Sequence, residues 1–383
     1  MTQNSHDFLD YLGRLETETA PASKKEIDAT CAAVLKKIGL KRRAAGTRKA
    51  GRILLVAAAV AVCAAVTAAA AGLNVGEMFR GYFESGSVKQ SYGASAAPAA
   101  LTQSQVGVLD KSGSALHISA ADNGTTIAVK AVTGDRNNAY LLFDVTAPEG
   151  TKLDRSDYSF ERDDNKAGMA ILEKDGSLPR SDGGWSGGWD YTTMKDADPA
   201  DNKIQIVLNI NYAGLDLPGR EVRLDLKNIT IPDKKRKTQY LPVIKGEWKL
   251  TIPLDYTSAS KKLTVNKPVR FSLADAVNPG APAAEREKAS KEFYQCTVDT
   301  ISISAFSVLA DFSGKSTGGK GDSFEIPYSL TLHLKDGSQM KVEHNGPGTG
   351  SKTTMSTSYR FDAPADVGSI ASVTIGDLTI PVA

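Results

Sequence analysis

Residues 53–73 read ILLVAAAVAVCAAVTAAAAGL, 21 consecutive positions without a charge, and the layout of the whole chain follows from them. A helix rises about 1.5 Å per residue, so this run is long enough to cross a hydrocarbon core of ~30 Å. Backbone in lipid must satisfy its own hydrogen bonds, which makes the segment a helix if it inserts. On its N-terminal side, residues 36–52 hold eight cations (Lys36, Lys37, Lys41, Arg42, Arg43, Arg48, Lys49 and Arg52) and no acid. On the other side, residues 74–90 carry Arg80 and Lys89 against Glu77 and Glu84. This asymmetry predicts a single-pass protein of the cell membrane, with its N-terminus cytoplasmic and its C-terminal part extracytoplasmic. The basic collar would lie on anionic membrane lipid of the inner leaflet. The run is too long, and begins too far into the chain, for a secretory signal peptide. Ten of its 21 residues are alanine, which is only weakly apolar, but eight adjoining cations argue against burial in a soluble core.

Charge and cysteines exclude several function classes. Residues 1–52 hold 11 Lys and Arg against 6 Asp and Glu, whereas residues 74–383 hold 35 against 38. The large outer part therefore has no basic field suited to nucleic acid. Of the three cysteines, Cys31 falls in the cytoplasmic piece, Cys63 in the span and only Cys296 in the outer part, so no disulfide can form within the outer part and packed cores must hold it together. Zinc ligation of the Cys/His kind fails on count and spacing. No cofactor motif is present.

The cytoplasmic piece, residues 1–50, reads as two short helices. The first places Phe8, Leu12 and Leu15 on one face. The second opens on Ser23-Lys24-Lys25-Glu26, the pattern of a capping box, and repeats Ile27, Cys31, Val34, Leu35 and Ile38 at helical spacing. Such a pair is too small to bury its apolar stripes well by itself, so Phe8, Leu12, Leu15, Ile27, Val34 and Leu35 are candidate contacts for a cytoplasmic partner.

Beyond the span (residues 51–73), residues 74–105 read as a juxtamembrane stalk ending in a loose Ser/Ala/Pro/Gln connection over 91–105. Period-two alternation then takes over. Ile127 and Val129 alternate, residues 134–138 supply a turn, and Leu141, Phe143 and Val145 follow. Ile204 to Ile210, Val222 to Leu226 and Trp248 to Leu254 alternate in the same way. A second group contains Val265 to Leu273, a helix over 283–291, Val298 to Ile303, and a strand through 304–312. Two hairpins follow, turning at Asp336-Gly337 and Gly376-Asp377. Short alternating strands with frequent turns predict a mainly β fold with two antiparallel β-sandwich-like domains, 106–256 and 257–383.

Three phrases in these strands are familiar: Asn138-Ala139-Tyr140-Leu141-Leu142-Phe143-Asp144-Val145, Lys245-Gly246-Glu247-Trp248-Lys249-Leu250-Thr251-Ile252-Pro253-Leu254, and Thr374-Ile375-Gly376-Asp377-Leu378-Thr379-Ile380-Pro381-Val382. With the layout, they resemble membrane-anchored Firmicutes proteins carrying domain-of-unknown-function family 4179, often called anti-sigma-factor-like. That resemblance implies an extracytoplasmic-function sigma factor as partner and signal transduction as the role. The His-x3-Cys-x2-Cys zinc motif of the best-known anti-sigma class does not occur in the chain.

Enzyme chemistry finds little footing. Gly184-Trp185-Ser186-Gly187-Gly188 matches the nucleophile-elbow pattern, but reads as a Gly-rich loop and not a strand-to-helix turn. Trp185 and Trp189 in that loop are candidates for stacking on a cell-wall or envelope ligand. Asp154, Asp157, Glu161, Asp163 and Asp164 lack calcium-loop spacing and are interleaved with Arg155, Arg162 and Lys166. The expected role is a non-enzymatic membrane regulator, sensing outside and holding a partner inside. The alternative is an envelope-binding or adhesion module that its N-terminal helix merely anchors.

Overall fold

The computed structural model describes residues 74–85, 100–161, 168–179, 186–196, 198–233, 235, 240–275, 282–315 and 324–382. The apolar run 53–73 and the six candidate partner contacts from Phe8 to Leu35 lie outside the described residues, as does Trp185. Among the described residues no helix is long and apolar enough to cross a membrane. All of them belong to one unit of the chain, Ala61–Ala383.

The described chain is mainly β and its sheets are antiparallel. Two helices, α1 (Val75–Glu84) and α2 (Gln103–Ser112), precede nine strands: β1 (Ser114–Asp122), β2 (Thr125–Gly134), β3 (Asn138–Thr146), β4 (Ser159–Glu161), β5 (Met169–Leu172), β6 (Ser186–Thr193), β7 (Lys203–Ala213), β8 (Glu221–Pro232) and β9 (Tyr240–Pro253). They form a five-stranded sheet of order β1-β2-β3-β7-β6 and a four-stranded sheet. In the latter, β4 and β5 share one edge of β8 while β9 pairs along the other. One core joins the two sheets, with Leu141, Phe143, Ile206 and Leu208 from the first and Val222, Leu224, Trp248 and Ile252 from the second. The alternating residues of β3 and β7, Tyr140, Leu142 and Val207, belong to a different cluster on the opposite face. Cover on both faces explains why Asn138–Thr146 reads as a nearly unbroken apolar run.

The second group comprises β10 (Ser260–Ser272), α3 (Ala283–Ala289), β11 (Phe293–Ser304), β12 (Ser307–Ser313), β13 (Ser329–Leu334), β14 (Gln339–Gly350), β15 (Thr354–Arg360), β16 (Ile370–Ile375) and β17 (Leu378–Pro381). Its eight strands make a single sheet of order β10-β11-β12-β15-β14-β13-β16-β17, and residues from all parts of that sheet share one core. The two ends of the sheet touch at the β16–β17 turn. Arg270 of β10 donates its amide to Asp377 Oδ1 at 2.8 Å, and the Asp377 amide returns a bond to the Arg270 carbonyl at 3.1 Å. Gly376 permits this approach. Its φ is +54°, and a Cβ there would stand 2.7 Å from the Arg270 oxygen. Cys296 is buried in this core, which pushes its thiol pKa up to about 12 and leaves it inert.

Three expectations need correction. Residues 103–105, taken as the end of a loose connection, open helix α2, and Val75–Glu84 is a helix with a buried face. Apolar spacing at Val75, Phe79, Tyr82 and Phe83 produces that face, and Thr102 with Gln105 supplies a capping box. Ser186 to Asp190, taken as loop, begins edge strand β6 and pairs with Ala213 to Asn209 of β7. The stretch 304–312 is a turn at 304–306 followed by strand β12.

Candidate functional site

The feature most suited to a task beyond stability is the junction where α1, α2 and the two β groups meet. It begins with the residues that place α1. Asn74 caps it by accepting from the Glu77 amide at 3.0 Å. On its outer face Arg80 pairs with Glu77 at 2.5 Å and with Glu84 at 3.4 Å, and the Arg80 hydrogen bond holds the Glu77 carboxyl below its ordinary pKa. Glu84 Oε1 also accepts from the Leu101 amide at 2.9 Å, fastening the far end of α1 to the approach of α2. At the helix crossing the Gly76 amide donates to Asp110 Oδ1 at 2.8 Å, and a Cβ on Gly76 would lie 2.5 Å from the Val106 carbonyl. Only glycine allows so close a contact.

The inner face of α1 is aromatic. Tyr82 and Phe83 meet Tyr140 of β3 with centroids 5.7 and 5.3 Å apart. Phe306, from the turn between β11 and β12, stacks on Phe83 at 6.0 Å and reaches Tyr140 at 5.4 Å. All are buried in one cluster that also holds Phe79, Val106, Leu109 and Val207. Helix α1 is thus held by the outer face of the first sheet and by a residue of the second β group together. Helix α2 makes its own link, since Gln105 Nε2 donates to the Pro364 carbonyl at 3.0 Å.

Beside the aromatic cluster lies a polar knot. Asp135, in the β2–β3 turn, is 1% exposed. Its Oδ1 accepts from the amides of Asn137 and Asn138 at 2.9 and 2.8 Å and from Asn138 Nδ2 at 2.8 Å. Its Oδ2 accepts from the hydroxyls of Ser304 and Ser307 at 2.5 and 2.7 Å. Tyr256, at the end of the first β group, donates its hydroxyl to the Asp135 and Asn138 carbonyls at 2.8 and 3.1 Å. Burial, then the charge on Asp135, drives the Tyr256 pKa well up, so this phenol stays a donor. The register sets Arg360, also 1% exposed, opposite Ser307 on β15. This arrangement fixes two surfaces in one register.

Of the residues expected to carry function, only Trp189 lies among the described residues. Trp189 lies in β6, half-buried against the first core. The Ser186 hydroxyl donates to the Gly348 carbonyl at 2.8 Å from an edge strand, so the nucleophile-elbow pattern has no elbow. Arg155 neutralises Asp157 through bonds of 2.7 and 2.5 Å. Among the described residues no grouping of His, Cys, Asp or Glu fits a metal ion. Asp135, Ser304, Phe306 and Ser307 were not singled out in the sequence. The signals available were an acid inside the 134–138 turn and a Phe flanked by serines.

No family model matches the chain, and no curated protein matches it. Among solved structures, the crystal structure of the conserved domain protein from Bacillus anthracis is similar at a TM-score of 0.42 and 15% identity, covering 68% of this chain and 75% of that one. A likeness so remote adds nothing to the functional reading.

Proposed function

We propose that the protein is a single-pass, non-enzymatic membrane regulator, anti-sigma-factor-like, with two sandwich-like extracytoplasmic domains. Its N-terminal helices hold an extracytoplasmic-function sigma factor through Phe8, Leu12, Leu15, Ile27, Val34 and Leu35. One observation carries the reading. The helix directly following the apolar run 53–73 packs its aromatic face against Tyr140 of one β group and Phe306 of the other. A change in how the outer groups meet would alter the seat of α1, the element joined in sequence to the span. A ligand acts through such a device only if it binds two arrangements with different affinity. The envelope-binding alternative relied on Trp185 and Trp189, and the half-buried position of Trp189 gives it no added support.

The test uses the full-length chain, affinity-tagged and recovered from membranes. Wild type should retain a sigma factor, and a Leu12→Ala/Leu35→Ala variant should lose it while staying inserted. Equal recovery by both, or recovery of no sigma factor by either, rejects the regulatory role.

A further inference from the structure

A cavity of about 320 Å³ opens beside the junction, and its construction points to a ligand. One wall is a face of α2, with Ser104, Gly107, Val108 and Lys111 at helical spacing. The opposite walls are Ala305 of the second β group and Ala365, Asp366 and Val367 after β15. The volume lies at the small end of the range for ligand sites, and boundaries between packed groups are where such sites concentrate.

Gly107 is the informative residue. Glycine inside a helix costs about 1 kcal/mol relative to alanine. At Gly76 a steric reason is plain, since a side chain would strike the Val106 backbone. At Gly107 there is none. Its φ is not left-handed, and a Cβ there would meet nothing within 4 Å. With no side chain at this position, the space over α2 stays open to the cavity. The rim then carries one charge of each sign. Lys111 is exposed and makes no salt bridge among the described residues, while Asp366 keeps its carboxylate at the mouth with one oxygen accepting from the Gly368 amide at 2.9 Å.

We propose that this cavity binds a small zwitterion with an apolar body, of the class of the apolar α-amino acids. The side chain fills the space over Gly107, the carboxylate faces Lys111 and the ammonium faces Asp366. As a binding site this stands alone. As the stimulus that reseats α1 it rests on the regulatory reading above.

Calorimetric titration of the full chain in nanodiscs tests it, with leucine and phenylalanine as probes and hexanoate, hexylammonium and hexanol as controls. One of the two amino acids should bind saturably at one site and at least tenfold more tightly than any control. Gly107→Leu, which fills the space, should abolish binding, and Lys111→Met should weaken it at least tenfold, one lost charge-assisted hydrogen bond being worth about that factor. Lys111 is exposed, so that variant keeps the test sound should Gly107→Leu not fold. Hexanoate binding as tightly as the amino acids overturns the zwitterion. No saturable heat with any probe, or unchanged binding in either variant, overturns the site. Binding that persists where sigma-factor capture fails leaves the site standing and removes only its regulatory role.

Discussion

The two halves of the junction join the same surfaces by different physics. The aromatic half (Phe79, Tyr82, Phe83, Tyr140 and Phe306) is held by burial and ring contacts between 5.1 and 6.5 Å, whose energy changes little as rings slide. The polar half (Asp135, Asn138, Tyr256, Ser304 and Ser307) is held by hydrogen bonds of 2.5 to 3.4 Å, which weaken steeply once distance or angle is lost. The halves draw on the same segments, since Asn138 and Tyr140 are two residues apart on β3 and Phe306 lies between Ser304 and Ser307. One half therefore supplies binding energy and the other fixes register. No movement of the β11–β12 turn can disturb one without the other.

The sharpest way to break this contrast is Asp135→Ala. It leaves the amides of Asn137 and Asn138 buried without an acceptor, each costing about 1–3 kcal/mol, so chemical denaturation should show a loss of about 4 kcal/mol. Phe306→Ala comes next, at about 3 kcal/mol for an emptied aromatic site. Conservative changes should separate the halves. Phe306→Leu keeps most of the apolar contact and should lose less than about 1.5 kcal/mol. Asp135→Asn puts an amide where the carboxylate takes five bonds, and should retain at least half of the Asp135→Ala loss. If the two conservative variants cost the same, the division of labour is wrong. Hydrogen exchange adds a second reading, because Phe306→Ala should raise exchange in α1 before it affects β7.

Much of the fold was legible because burial on one face writes itself into alternation. Ile204 to Ile210, Val222 to Leu226 and the hairpins at Gly337 and Gly376 are where period and turn residues predict them. In sequence, the buried residues of the first large core end at Tyr256 and those of the second begin at Val269. Strands β6 and β15 were not legible, since Ser186–Thr193 and Thr354–Arg360 hold few apolar residues and are defined by their neighbours. The junction was least legible of all. Asp135 reads as an ordinary turn acid, and nothing local says that Ser304 and Ser307, 169 and 172 residues away, will bury it. A polar group is buried only if its partners arrive with it, and here the partners come from a separate core.

Thr102→Ala sharpens the comparison at smaller scale. The Thr102 side chain at the start of α2 bonds only within its own turn, its Oγ1 accepting from the Gln105 amide at 3.3 Å. Its loss should cost about 1 kcal/mol, well below either half of the junction. A cost equal to that of Phe306→Ala would mean that α2, through Gln105 and Pro364, carries the link between the β groups.

The smallest effect lies outside the junction, beside the second core. His344, between the rings of Tyr328 and Tyr359 at 6.4 and 5.9 Å, has a buried Nε2 with no hydrogen bond among the described residues. Burial holds its pKa below the ordinary histidine value. The unfolded chain therefore takes up this proton first, near pH 6.5, and the folded chain only at lower pH. Stability credited to neutral His344 is complete above that range and is lost as pH falls through it. The melting temperature should drop by a few degrees between pH 7 and pH 5, and His344→Phe should flatten that part of the profile. A profile untouched by His344→Phe would mean that this ring, buried beside the second core, is not the part of the molecule that answers to acid.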